Sequence, residues 1–301
     1  MSAPRRGTSP ASWCSPFGSK TIHQAHQSRC AARRSVAEAQ ILPTMLRLVL
    51  LPGMDGTGRL FNPLLAALPP SMPTTVVRYP GEAASYDALT AYAVQALPKD
   101  APYVLLGESV SGPVAIRLAS MHPPGLRGVI LCATFARSPS RWLSRLAPAV
   151  HLIPPMPPPL ALLRRLLCHG ARADAHTLAL LASAVASISP KVLLQRLREV
   201  AAVDVSAPLM AVHSPMMYLR ARHDRLVPAA AFDHLQSIQP DLQLAEFDAP
   251  HLLLQTVPEE AAAVICAFME AGAPFAASPP PPCPAAPPST STPTPPNSPV
   301  S

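Results

Sequence analysis

Three side chains, Ser109, Asp224 and His251, have the types and surroundings needed for nucleophilic catalysis. Ser109 sits in YVLLGESVSGPVAIRLA, where an apolar run ends at Gly107 and a helical pattern begins directly after the serine. A strand, a sharp turn and a helix in that order lift a hydroxyl above a sheet. They also aim free helix N-terminal amides at the point where negative charge develops. An ordinary βα loop of small residues is the competing reading of this segment taken alone. A serine hydroxyl is a poor nucleophile at neutral pH and needs a neighbouring base held by a third group. His251, in FDAPHLLLQTVPEE, follows the last apolar run, and Asp224, in MMYLRARHDRLVP, follows the run before it. Asp248 and Glu246 are weaker acid candidates because they lie on or beside that last run. His122 and His223 read as structural. A second Gly-rich loop, in LRLVLLPGMDGTGRLF, carries Gly53, Gly56 and Gly58. Its spacing fits neither G-x-G-x-x-G nor G-x-x-x-x-G-K-[ST], which argues against a nucleotide phosphate site. Asp55 is expected to order this loop through local backbone hydrogen bonds. Six cysteines show no C-x-x-C pair and no His spacing for zinc, so no metal site is expected.

The elements that must position these residues read as alternating strand and helix. Short apolar runs occur at 46–51, 75–79, 103–107, 128–133, 216–221 and 242–247. They are continuous rather than alternating, as expected of strands buried on both faces. Helical patterns fall at 60–68, 86–97, 110–121, 229–238 and 258–271. The expected fold is α/β: a mostly parallel central sheet of about six strands with helices on both faces. The stretch between the fourth and fifth strands is too long for one crossover. Its helical runs near 160–167, 174–188 and 191–203 read as an inserted cap. Ser109, Asp224 and His251 all fall at the carboxyl ends of expected strands, where open α/β sheets gather ligand-binding groups.

These segments together resemble the α/β-hydrolase superfamily over about 45–272, lacking its first hairpin, and LPGMDGTG with GES is similar to small hydrolases, thioesterases and some plastid acyltransferases of that fold. The order serine, acid, histidine is the family's order. The resemblance implies that Ser109 is the nucleophile, His251 the base and Asp224 the acid. It implies that the amides of Met54 and Val110 form the oxyanion hole, and that no cofactor is needed. Gly53 and Trp142 are the expected substrate contacts. The elbow departs from the usual G-x-S-x-G, because Ser111 stands where the pattern has glycine and Gly112 follows it. The implied activity is hydrolysis of a carboxylic ester or thioester through an acyl-enzyme. An acyltransferase using the same triad and an inert binding module of this fold are the alternatives.

Composition sets the frame around that core. Hydrophobic residues make up 49% and charged residues 14%, enough to bury a sizeable core. Forty-one prolines exclude a helical bundle over the whole chain. Residues 1–44 read as a disordered Ser/Arg-rich extension or a targeting segment, with Met45 a natural start. Residues 273–301 read as an extended Pro-rich tail. The expected division is a core of 45–136 and 206–272 around a cap of 137–205. Net charge is +7, but residues 1–40 alone hold +5 of it, so the basic balance does not indicate nucleic acid. Within 137–203, nine basic side chains face two acids. An acidic acyl carrier is therefore a candidate partner, beside solvated helix faces as the plainer reading. Apolar positions such as Leu152, Ile153, Leu160, Leu163 and Leu167 are expected to line an acyl pocket. No apolar run reaches membrane-spanning length, and the expected location is the cytoplasm.

Overall fold

Each of the six apolar runs becomes a strand, and the strands lie parallel in one sheet. The computed structural model describes residues 45–82, 85–139, 160–168 and 174–272. The strands are β1 (Arg47–Leu51), β2 (Thr74–Val76), β3 (Tyr103–Glu108), β4 (Leu126–Cys132), β5 (Met216–Ala221) and β6 (Gln243–Phe247). Their order is β2-β1-β3-β4-β5-β6, every pairing parallel.

The continuous apolar character of the central strands has a simple cause. Successive side chains point to opposite faces, and both faces are covered. Val49, Leu51, Leu105, Val129 and Leu131 face one core, with α2 (Tyr86–Ala96), α3 (Ser111–Ser120) and α8 (Ala229–Ile238). Leu48, Leu50, Val104, Leu106 and Ile130 face the other, with α1 (Asn62–Ala67), α9 (Leu253–Thr256) and α10 (Pro258–Gly272). The edge strand β6 departs from the buried reading. Gln243, Leu244 and Glu246 are exposed on this edge strand, where Gln243 and Glu246 break the apolar run. Glu246 there pairs with Arg220 at 2.8 Å.

Between β4 and β5 the chain inserts α4 (Leu160–Leu167), α5 (Ala175–Ala186) and α6 (Pro190–Ala202), then the short α7 (Ser206–Met210). Local signals set their starts. Asp174 accepts a hydrogen bond from the Thr177 amide at 2.7 Å, and Pro190 opens α6, where its missing N–H is no loss. The two ends of the insert lie side by side. Ser138 N donates to Val203 O (3.0 Å) and Val205 N donates to Ala136 O (2.8 Å), around an antiparallel bridge between Arg137 and Asp204. The rest of the expected cap, 140–159 and 169–173, lies outside the described residues, as do 1–44 and 273–301. Among the described residues, no single helix is long and apolar enough to cross a membrane.

Candidate active site

The strand order reverses between β1 and β3, since β2 lies to one side of β1 and all later strands lie to the other. Adjacent loops leaving such a switch point diverge and open a crevice. The loop after β1 is the Gly-rich segment 52–58, and the loop after β3 is the turn at Ser109.

Ser109 takes φ 51°, the left-handed region that a non-glycine residue rarely enters. Surrounding bonds hold it there. Its amide donates to Cys132 O (2.9 Å), while its carbonyl accepts from the Gly112 amide (3.1 Å) and the Thr134 hydroxyl. The glycines beside it are required by space. A Cβ at Gly107 would stand 2.6 Å from the Ser111 carbonyl, and one at Gly112 would stand 2.0 Å from Thr134 Oγ1. Ser111 has room for a side chain, so the departure from G-x-S-x-G is accommodated by moving the tight contact to Gly112.

The structure brings Ser109, His251 and Asp224 together. His251 Nε2 lies 3.1 Å from Ser109 Oγ, and His251 Nδ1 lies 2.7 Å from Asp224 Oδ2. A carboxylate only accepts, so Nδ1 carries the proton and Nε2 is left to accept from the serine hydroxyl. Asp224 is anchored in turn, its Oδ1 accepting from the amides of Leu226 (2.8 Å) and Val227 (2.9 Å). Both the imidazole and the carboxylate are about 5% exposed or less. Burial alone would lower the His251 pKa. The Asp224 charge, its hydrogen bond and the charge of Glu108 outweigh burial and hold the pKa above its ordinary value.

The amides of Met54 and Val110 have no intramolecular partner among the described residues. Val110 precedes the first turn of α3 and caps it without a side-chain bond. Asp55 behaves as expected, accepting from the Thr57 amide at 2.9 Å and from the Thr57 hydroxyl. The weaker acid candidates lie elsewhere, with Asp248 paired to His223 at 2.7 Å and Glu246 to Arg220. His122 stacks on His213.

A cavity of about 300 Å³ opens above Ser109. Its floor is Gly53, Met54, Glu108, Ser109 and His251, and its roof is aliphatic: Leu162, Leu166 and Leu167 from α4, Leu181, Ala184 and Val185 from α5, Leu193 and Leu197 from α6. Gly53, one of the two expected substrate contacts, lines this cavity. Trp142, the other expected substrate contact, lies outside the described residues, as do Leu152 and Ile153 and the side chains of Leu160 and Leu163. The sequence reading missed most of the roof, since the apolar face of α5 reads as ordinary packing.

Two buried charged groups were also missed. Glu108, beside the serine, accepts from Gln255 Nε2 at 2.9 Å. Burial raises its pKa to about 7 against the lowering effects of Gln255, His251 and the Gly53 amide. Arg196 of α6 is 2% exposed and donates to Met54 O at 2.6 Å. Among the described residues, no cluster of three or more His, Cys, Asp or Glu could hold a metal.

A wholly parallel sheet in this order, with a serine on a left-handed turn after β3 and a helical insert after β4, defines the α/β-hydrolase class. The chain belongs to the serine aminopeptidase, S33 family (Hydrolase_4), whose profile matches residues 83–250. It is 33% identical over 110 residues to a pimeloyl-[acyl-carrier protein] methyl ester esterase of Neisseria meningitidis. That match covers 35% of this chain and 43% of the relative, so the chain spans less than half the length of the curated relatives it matches. Among solved structures, a thermophilic esterase from Thermogutta terrifontis superposes with TM-score 0.66 at 21% identity, covering 76% of this chain and 91% of the esterase. The enol-lactonase from Burkholderia xenovorans LB400 gives TM-score 0.61 at 17% identity, over 75% of this chain and 92% of the lactonase. At these identities the two structures establish the fold.

Proposed function

We propose that the protein is a serine hydrolase that cleaves a carboxylic ester or thioester bearing an aliphatic acyl group. The observation that carries this reading is the hydrogen-bonded chain from Ser109 Oγ through His251 to Asp224, at 3.1 and 2.7 Å, beneath an aliphatic cavity. Ser109 Oγ attacks the acyl carbon as its proton passes to His251 Nε2. Asp224 holds the imidazole orientation and stabilises the imidazolium. The Met54 and Val110 amides donate hydrogen bonds to the oxyanion of the tetrahedral intermediate, and one such donor contributes roughly 3 kcal/mol. His251 then returns the proton to the leaving alcohol or thiol, and the acyl-enzyme remains. Water, deprotonated by His251, adds to the acyl carbon; the bond to Ser109 Oγ then breaks as His251 returns the proton to it, releasing the acid and restoring the serine.

The acyl group lies against Leu181, Ala184 and Leu193, which offer aliphatic contact and no hydrogen-bond partner. An acidic acyl carrier is the proposed bearer of the substrate. The exposed Arg164, Arg165 and Lys191 on the insert support this, as does the acyl-carrier substrate named for the Neisseria relative.

Turnover of p-nitrophenyl esters from C2 to C12 tests the reading, together with labelling by a fluorophosphonate probe. We expect turnover and labelling in the wild type, and loss of both in Ser109→Ala. Turnover that survives this substitution removes the nucleophile assignment.

A further inference from the structure

Ser111, which breaks the G-x-S-x-G pattern, has a fully buried side chain in the first turn of α3. Its Oγ donates to the carbonyl of Pro52 at 2.5 Å and lies 2.9 Å from the hydroxyl of Tyr79. A serine has one hydroxyl proton. With that proton on Pro52 O, the Tyr79 hydroxyl must be the donor to Ser111. Burial raises the Tyr79 pKa, so the phenol keeps the proton this requires. The three groups form a one-way chain, Tyr79 to Ser111 to Pro52, joining the turn that carries Val110 to the loop that carries Met54.

The next carbonyls of that loop are also held. Gly53 O accepts from the Gly56 amide (3.1 Å), Met54 O from Arg196 (2.6 Å), and Gly56 O from the Tyr79 amide (2.9 Å). In a trans peptide the N–H points opposite to the preceding carbonyl, and no cis peptide occurs among the described residues. Fixing the carbonyls of Pro52, Gly53 and Met54 therefore fixes the amides of Gly53, Met54 and Asp55. Gly53 is turned towards Glu108, whose charged form its amide favours. Met54, the next residue, is left with its amide unpartnered in the cavity floor. On the cap side the Arg196 guanidinium packs directly against this loop, 2.7 Å from where a Cβ on Gly56 would stand.

We infer that Ser111, assisted by Tyr79, and Arg196 are positioning residues that clamp the Pro52–Asp55 backbone from the elbow helix and from the cap, holding the Met54 amide in register with that of Val110. The inference rests on the proposed serine hydrolase reading and goes beyond it. The serine that departs from the family pattern acts on the oxyanion donors without touching the substrate. The arginine makes the inserted helices a partner in the same geometry.

The test compares wild type with Ser111→Gly, Ser111→Ala, Tyr79→Phe and Arg196→Lys. Turnover of p-nitrophenyl butyrate is expressed per site titrated with a fluorophosphonate, so that misfolded protein does not count. An aliphatic trifluoromethyl ketone, which forms a tetrahedral adduct, reports on the oxyanion donors. The Ser111 variants should lose about ten- to a hundredfold in kcat, the scale expected of a small misplacement of a catalytic group. Affinity for the ketone should fall in parallel while KM stays constant. Tyr79→Phe and Arg196→Lys should show the same pattern more weakly. Fewer titrated sites with unchanged kcat per site would mean a merely structural role and would overturn the inference, as would a change in KM alone. If neither Ser111 variant folds, Tyr79→Phe and Arg196→Lys decide by the same criteria. Wild type without turnover, or turnover indifferent to Ser109→Ala, overturns the hydrolase reading instead and takes this inference with it.

Discussion

The floor and the roof of the cavity are built on different principles. The floor is polar and tied at many points: Ser109 through Cys132, Gly112 and Thr134, Asp224 through two amides, and the Gly-rich loop through Ser111, Arg196 and Tyr79. It stands on the ends of strands buried on both faces, so its atoms inherit the rigidity of the sheet. The roof is aliphatic, and the described residues tie it to the core by only a few polar contacts. Besides Arg196, Glu199 Oε2 accepts from the Tyr86 amide at the start of α2 (3.0 Å), and Leu167 O accepts from the Leu252 amide. Hydrogen bonds fix direction, whereas aliphatic contact fixes only size and shape. Under the proposed function, the floor suits the reaction and the roof the choice among acyl chains.

Substitutions in the two regions should therefore differ in kind as well as in size. Ser109→Ala should lower kcat about 10⁶-fold for every acyl length. Asp224→Asn, which permits the wrong imidazole tautomer, should cost about 10⁴-fold, again without regard to chain length. The roof should respond selectively. Ala184→Phe fills part of the cavity, so kcat/KM for C10–C12 esters should fall about tenfold or more while C2–C4 esters are spared. A uniform loss across the ester series would erase the distinction between the regions.

The smallest expected effect is a shift in pH dependence. In the proposed mechanism the neutral His251 imidazole is the base, and its pKa is raised, so the acid limb of kcat/KM should have its midpoint above the ordinary histidine value. Glu108 contributes to that elevation, and Glu108→Gln should move the midpoint to lower pH. The same substitution has a stability signature with a defined sign. Because the Glu108 pKa rises from 4.5 to about 7 on folding, the folded protein holds a proton there that the unfolded chain has released. This contribution is fully present below pH 4.5 and is lost as pH rises to about 7. Denaturant melts at pH 5 and pH 8 should show a smaller drop with pH in Glu108→Gln than in wild type.

Much of this architecture was legible in the residue order. Strands buried on both faces leave short unbroken apolar runs, and a strand–turn–helix with small residues around one serine is a local pattern. Ser109, Asp224 and His251 could be picked out because each stands just past such a run. What escaped was tertiary. Arg196 counted as one of nine basic residues in a surface-like segment, yet its partner, Met54, lies 142 positions away. Ser111 registered as a mismatch because its partners, Pro52 and Tyr79, belong to other elements. The exposure of β6 was partly legible, because Gln243 and Glu246 interrupt its apolar run, while that of Leu244 was not.

The paired ends of the insert carry a consequence for how such proteins diversify. Because the chain leaves and rejoins the sheet beside the Arg137–Asp204 bridge, the two ends of the insert are held together at the sheet whatever is looped between them. The entropic penalty of a longer excursion grows only logarithmically. Evolution can therefore lengthen, shorten or replace the intervening helices as a cassette. A replacement must still reproduce the ties that reach from the insert to the core, among them Arg196 to Met54 O, Glu199 to the Tyr86 amide and Leu167 O to the Leu252 amide.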